Sequence, residues 1–164
     1  MHAINIRKSL GHDWEDLFAI VQDIARYPQF VPCCTQVRIL TTTNPTPEST
    51  EIISRMTVGL QPVQVSYTNR TLADRNLRRI SVDSTDGPMR HLHVLWRFEP
   101  HGARRTDVNF AASYEFRSRL LTGLAAGVFD RLFGQMVDAF ERRAGQLQAA
   151  GLTPSRPGAH TPPV

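Results

Sequence analysis

Ile4 and Ile6 alternate with Asn5 and Arg7, and this spacing of two predicts a first strand. The period then changes. Trp14, Leu17, Phe18, Val21 and Ile24 fall on one helical stripe, with Asp13 at the cap position and Glu15 and Asp16 in a first turn where the helix dipole favours acids. Tyr27-Pro28 reads as the end of that helix, because the residue before proline disfavours the α region. Pro32 closes a second short segment.

Strand signals fill the middle of the chain. Val37 and Ile39 flank Arg38; Thr43 to Glu48 reads as a polar turn; Ile52, Met56 and Val58 share one face. After a turn at Gly59 to Pro62, Val63, Val65 and Tyr67 alternate with Gln64, Ser66 and Thr68. Ile80 and Val82 alternate with Ser81 and Asp83, and Asp86-Gly87-Pro88 is a strong turn signal. Leu92, Val94, Trp96 and Phe98 share a face, as do Thr106, Val108, Phe110, Ala112, Tyr114 and Phe116. Such alternation predicts antiparallel strands with one wet face.

The last element is predicted as one long helix, Ser118 to Ala149. Its second half is amphipathic: Met136, Phe140, Ala144 and Leu147 oppose Arg131, Gln135, Asp138 and Arg142. Its first half, with Leu120, Leu121, Leu124, Val128, Phe129, Leu132 and Phe133, covers more than one stripe. A helix apolar nearly all round is buried on two sides or faces something apolar. Gly123, Gly127 and Gly134 weaken it, each by up to about 1 kcal/mol relative to alanine. Strands followed by such a helix predict an α+β fold, with the sheet's inner face on the helix and a mostly apolar cavity between them. Residues 1–149 form the predicted domain, and 150–164 are expected to be a disordered, proline-rich tail.

Composition narrows the classes. The chain has 164 residues, 41% hydrophobic and 21% charged, enough for one globular core. Its longest apolar stretch is too short to span a bilayer, and no secretory signal is readable at its start. The net charge of +4 permits attraction to an anionic surface without demanding it. The short basic clusters Arg75/Arg78/Arg79 and Arg104/Arg105 lack interleaved aromatics, so no DNA-binding platform is expected. Cys33 and Cys34 are adjacent and poorly placed to pair with each other, which points to a reducing, cytoplasmic setting. His91 and His93 share a strand face but find no third ligand, so no metal site is expected. Tyr67, Tyr114 and Thr106 are the only inward groups suited to acid–base or orienting work, and no nucleophile or phosphate-loop motif accompanies them.

Three segments carry a family resemblance. Tyr27-Pro28-Gln29-Phe30-Val31-Pro32-Cys33-Cys34 is similar to a Y-P-x-F-x-P-x-C pattern. Gly87-Pro88-Met89-Arg90-His91-Leu92 with Trp96-Arg97-Phe98-Glu99-Pro100 is similar to G-P-F-x-x-L-x-x-x-W-x-F-x-P, with methionine replacing phenylalanine. Phe116 to Leu121, and Met136 to Ala144, match F-x-S-x-L and M-x-x-A-F-x-x-R-A. Together they resemble the coenzyme Q-binding, polyketide-cyclase-like family of START-like helix-grip proteins, which includes ribosome-association toxins.

The resemblance implies a curved seven-stranded antiparallel sheet gripping a long C-terminal helix, with two short helices after the first strand. It implies no catalytic residues and no required cofactor. The implied ligand is ubiquinone or a related isoprenoid, held in an apolar tunnel and carried in support of respiratory electron transport. The expected partners are that lipid and, transiently, the inner membrane surface, with the protein cytoplasmic and peripheral. A ribosome-binding, subunit-blocking protein is the alternative, and a small-molecule cyclase a third. The residues expected around the ligand are Phe30, Val31, Pro32, Leu92, Trp96, Phe98, Phe110 and Tyr114, with Leu121, Leu124, Val128, Phe129, Leu132, Phe133 and Met136 from the helix. The glycine-interrupted half-helix and Phe30-Val31-Pro32 are the expected gate.

Overall fold

β1 (His2–Leu10) leads into α1 (Trp14–Gln22) and a 3-10 helix (Ile24–Gln29) in the computed structural model, which describes residues 1–154. Six strands follow: β2 (Cys34–Thr46), β3 (Ser49–Leu60), β4 (Val63–Asp74), β5 (Arg79–Ser84), β6 (Met89–Pro100) and β7 (Thr106–Phe116). Helices α2 (Arg119–Gly134) and α3 (Met136–Ala149) come last. The strands form one antiparallel sheet in the order β1-β7-β6-β5-β4-β3-β2. This is the expected helix-grip arrangement: a curved seven-stranded sheet closed against C-terminal helices.

Register sets which side chains face inward. β6 and β7 pair Leu92 with Tyr114, Val94 with Ala112, Trp96 with Phe110 and Phe98 with Val108, and all eight are buried. Register shifts along β2 mark irregularities of the kind that sharpen local twist and let a sheet curl. At the β3–β4 hairpin, a Cβ on Gly59 would stand 2.4 Å from the Val63 carbonyl oxygen, so only glycine fits.

Several local expectations change. The C-terminal helix is interrupted at Gln135, whose φ of −103° and ψ of 0° turn α2 into α3 directly after Gly134. Gly134 is the weakest helix former there, and tertiary packing pulls the two halves onto different walls. α1 ends at Gln22 rather than at Tyr27-Pro28; Pro28 sits inside the 3-10 helix, and Ile24 begins it. Asp13 is the N-cap residue by position, but its side chain makes no capping bond. The Thr43–Glu48 stretch is mostly strand, because β2 continues to Thr46 and pairs Thr46 with Ser49. Of the expected tail, 155–164 lie outside the described residues, while Leu152 donates its amide to the Leu147 carbonyl at 2.9 Å.

Candidate functional site

A cavity lies at the centre of the grip. The sheet contributes Met56, Tyr67, Val82, Leu92, Val94 and Trp96. The 3-10 helix and the residues after it contribute Ile24, Tyr27 and Val31. Leu132, Phe133 and Met136 cover it from the junction of α2 and α3. Aromatic packing closes both flanks: Trp96 meets Phe110 and Phe140 at ring distances of 4.7 and 5.1 Å, and Phe129 meets Phe116 at 5.2 Å. The centre of a water molecule has about 40 Å³ in which to move. That is room for two or three waters, whereas small-molecule sites occupy roughly 300 Å³ or more. The cavity as the described residues form it therefore has to widen to admit a lipid.

Its wall is not wholly apolar. Asn69 and Thr71 face the cavity from β4, and Ser54 on β3 stands opposite Asn69 in the register. All three are almost completely buried, at 3%, 1% and 0% exposure. The oxygens Asn69 Oδ1, Thr71 Oγ1 and Ser54 Oγ have no hydrogen-bond partner. Each such orphan costs about 1–3 kcal/mol. Asn69 Nδ2 reaches the Met56 sulfur at 3.9 Å, a weak acceptor, and its side chain also hydrogen-bonds the Tyr67 hydroxyl, while its Oδ1 stays unpaired. The sequence pattern does not single these residues out, because polar residues in strands read as the wet face. Asn69 and Thr71 do continue the inward alternation from Tyr67, and that was the available signal.

The expected ligand residues separate into groups. Val31, Leu92, Trp96, Leu132, Phe133 and Met136 line the cavity. Phe98, Phe110, Tyr114, Val128 and Phe129 are buried in the surrounding core. Leu121 and Pro32 are half-buried. Phe30 lies outside the cavity, stacked edge-on against Phe140 at 5.1 Å beneath the Arg143 guanidinium. Leu124 is 53% exposed and Leu120 72% exposed, so both face away from the interior. The apolar excess of the half-helix has two destinations, one face inside and one against solvent.

The two helices are held differently. α3 is anchored through Phe140, which touches Tyr27, Phe30 and Trp96, and through Lys8, whose ammonium donates to Glu141 at 2.8 Å and Asp138 at 3.0 Å. The bonds to Glu141 and then Asp138 raise the Lys8 pKa. α2 carries Gly123 and Gly127, with nothing within 4 Å of where their Cβ atoms would lie, and turns at Gln135. Its polar ties include the Ser118 cap to the Leu121 amide and the Tyr114 hydroxyl, which donates to Asp130. α2 is the glycine-interrupted half-helix expected as the gate.

Acid–base chemistry finds little footing inside. Burial pushes the Tyr27 and Tyr67 phenols far up, so both stay protonated; Tyr27 donates to the Val21 carbonyl and Tyr67 leans on the Met56 sulfur at 3.7 Å. The Thr106 hydroxyl is committed to the His12 carbonyl at 2.8 Å. Burial pushes the Cys34 thiol up to about 12 and raises that of Cys33, leaving neither as a ready nucleophile. His91 bonds Ser113 at 2.9 Å and His93 bonds Asp83 at 2.7 Å, on the outer face. Among the described residues, no cluster of three metal-binding side chains forms, and no helix is long and apolar enough to cross a membrane.

Comparison with known proteins places this geometry. A ribosome association toxin, RatA, of Rickettsia prowazekii is 31% identical over 85% of this chain and 94% of its own length. The mitochondrial coenzyme Q-binding protein COQ10 homolog B of Xenopus laevis is 33% identical over 85% of this chain, which spans 57% of that protein. The crystal structure of an aromatase/cyclase from a Streptomyces species superposes with a TM-score of 0.77 at 16% identity, covering 93% of this chain and 99% of its own, and so shares the fold. The family described as polyketide cyclase/dehydrase and lipid transport matches residues 10–141. With that match on the helix-grip architecture, the chain belongs to the polyketide cyclase/dehydrase and lipid transport family.

Proposed function

We propose that this protein binds a neutral isoprenoid lipid, ubiquinone or a close relative, between the sheet and α2, and carries it without chemical turnover in support of respiratory electron transport. The observation that supports this most directly is the interior cavity between the sheet and the junction of α2 and α3. Its described lining holds no charged side chain, so it suits a neutral apolar guest and would leave an ion unpaired. The coenzyme Q-binding relative supports the choice of lipid. The outward Leu120 and Leu124, near exposed Arg119 and Arg131, suit a helix that visits an anionic bilayer from the cytoplasmic side; each well-placed arginine there contributes about 1 kcal/mol.

The test is solvent extraction of the purified native protein, with mass spectrometry of the extract, beside Met136→Trp, which fills the cavity. Ubiquinone in the native extract and its loss from the folded variant is the expected result. An empty native extract, with no uptake of supplied ubiquinone, overturns the reading.

The toxin relatives favour a second reading, in which the protein binds the ribosome and blocks subunit association. Its mark would be co-sedimentation with ribosomes that falls steeply as salt rises.

A further inference from the structure

We infer that Asn69 and Thr71, with Ser54 behind them as the register partner of Asn69, recognise the oxygenated head of the cavity's ligand, a neutral group bearing carbonyl or hydroxyl oxygens. This rests on the reading of the cavity as a lipid site and adds where the head is held.

Three orphan oxygens in one patch need a common cause. Among the described residues the only other buried side-chain oxygen without a partner is that of Asn109, which belongs to the alternate face of β7. The patch is on neighbouring positions of β3 and β4, with Ser54 paired to Asn69 and Ile52 to Thr71. Asparagine is disfavoured in strands, and an apolar side chain at Asn69 or Thr71 would complete the wall at no polar cost. Buried groups of this kind pair with something, either water or a guest.

The chemistry of the patch defines the guest. On the cavity wall the Thr71 hydroxyl both donates and accepts, and Asn69 offers an amide. Among the described residues no lysine, arginine or histidine lines the cavity, so a carboxylate or phosphate head would be buried without a counter-charge. A ring carbonyl or hydroxyl meets the patch without that cost. The apolar remainder then lies against Leu92, Val94, Leu132 and Met136.

The experiment uses the full chain with Trp14→Phe, so that emission reports Trp96 in the cavity wall. This protein and its Asn69→Leu, Thr71→Val and Ser54→Ala variants are titrated with ubiquinone-2, which carries a head and a short tail. Squalene, an isoprenoid hydrocarbon without a head, is titrated in parallel. The expected result is that Asn69→Leu and Thr71→Val each weaken ubiquinone-2 by about tenfold, leave squalene unchanged or tighter, and raise the melting temperature of the empty protein. Thr71→Val keeps the side-chain shape and decides the matter alone if Asn69→Leu does not fold. Ubiquinone-2 affinities within twofold of the parent in folded variants overturn the inference while leaving the lipid site standing, and reduce the patch to a water site. Equal parent affinity for ubiquinone-2 and squalene overturns it also. If neither probe changes Trp96 emission, the lipid reading and this inference fall together.

Discussion

The hydroxyl of Tyr114 donates to the carboxylate of Asp130, tying the inward face of β7 to α2. The imidazole of His2 stacks on Tyr114 at 5.0 Å and brings its Nδ1 within 3.8 Å of Asp130. One contact thus links an edge strand, its neighbour and the helix over the cavity. Burial, and then Asp130, raise the Tyr114 pKa, so the phenol keeps its proton and the bond its direction at neutral pH.

Removing that hydroxyl should loosen α2 selectively. Tyr114→Phe keeps the ring contacts with Phe129 and Phe133. The lost bond costs about 1 kcal/mol, because Asp130 is largely solvated and recovers water. Hydrogen exchange should then quicken about fivefold in the amides of α2 and remain unchanged in α3, which Lys8 and Phe140 hold independently. Equal protection of α2 in the variant and the parent would show that this bond does not hold the helix in place.

The Asp86 carboxylate gives the fold an acid-sensitive point. Burial pushes its pKa up, but hydrogen bonds from the Thr68 amide at 2.7 Å and from Ser84, with Arg55 at 3.8 Å, more than offset this and lower it. The folded pKa lies below the unfolded 3.8, so the contribution is fully present above pH 3.8 and is lost as pH falls through the folded value. Asp86→Asn keeps an acceptor and loses the charge. Urea titrations should show the variant less stable at pH 7, with the difference closing below pH 3.8.

The alternation along β6 and β7 was legible because it runs unbroken from Thr106 to Phe116, and the register confirms every inward position there. The break at Gln135 was not, since both halves keep an apolar stripe and only tertiary packing turns them onto different walls. Leu124 sits in an apolar run that predicts a lining role, yet a helix carries only one inward face and Leu124 lies on the other. Asn69 and Thr71 escape the pattern for the opposite reason: a polar residue at an inward position breaks the binary rule, and such breaks concentrate at functional sites.

The adjacent cysteines should be told apart by reaction with a thiol reagent. Cys34 is buried and its pKa stands at about 12, while Cys33 is half-buried and raised less. At pH 8 the native protein should label slowly at Cys33 alone. Cys34 should react only at the rate of opening or unfolding, and a Cys33→Ser variant should be nearly inert until urea is added. Rapid labelling of Cys34 in the native state would place it in a more open region than the structure gives it.

The outward leucines separate binding from delivery. Leu124 is 53% exposed, and its replacement by arginine adds charge to a solvated surface. Leu124→Arg should therefore change stability by no more than about 0.5 kcal/mol and leave the cavity intact. If α2 presents Leu120 and Leu124 to a bilayer, however, the variant removes apolar area that would enter the interface and substitutes a group that stays outside it. Transfer of ubiquinone between donor and acceptor vesicles should slow about tenfold, while the amount held by the protein at equilibrium stays the same. Met136→Trp should show the converse, with little ligand held and correspondingly little transferred. Loss of bound ligand in Leu124→Arg, with its fold preserved, would mean that the outer face of α2 belongs to the binding site itself and that the helix turns inward when a lipid enters.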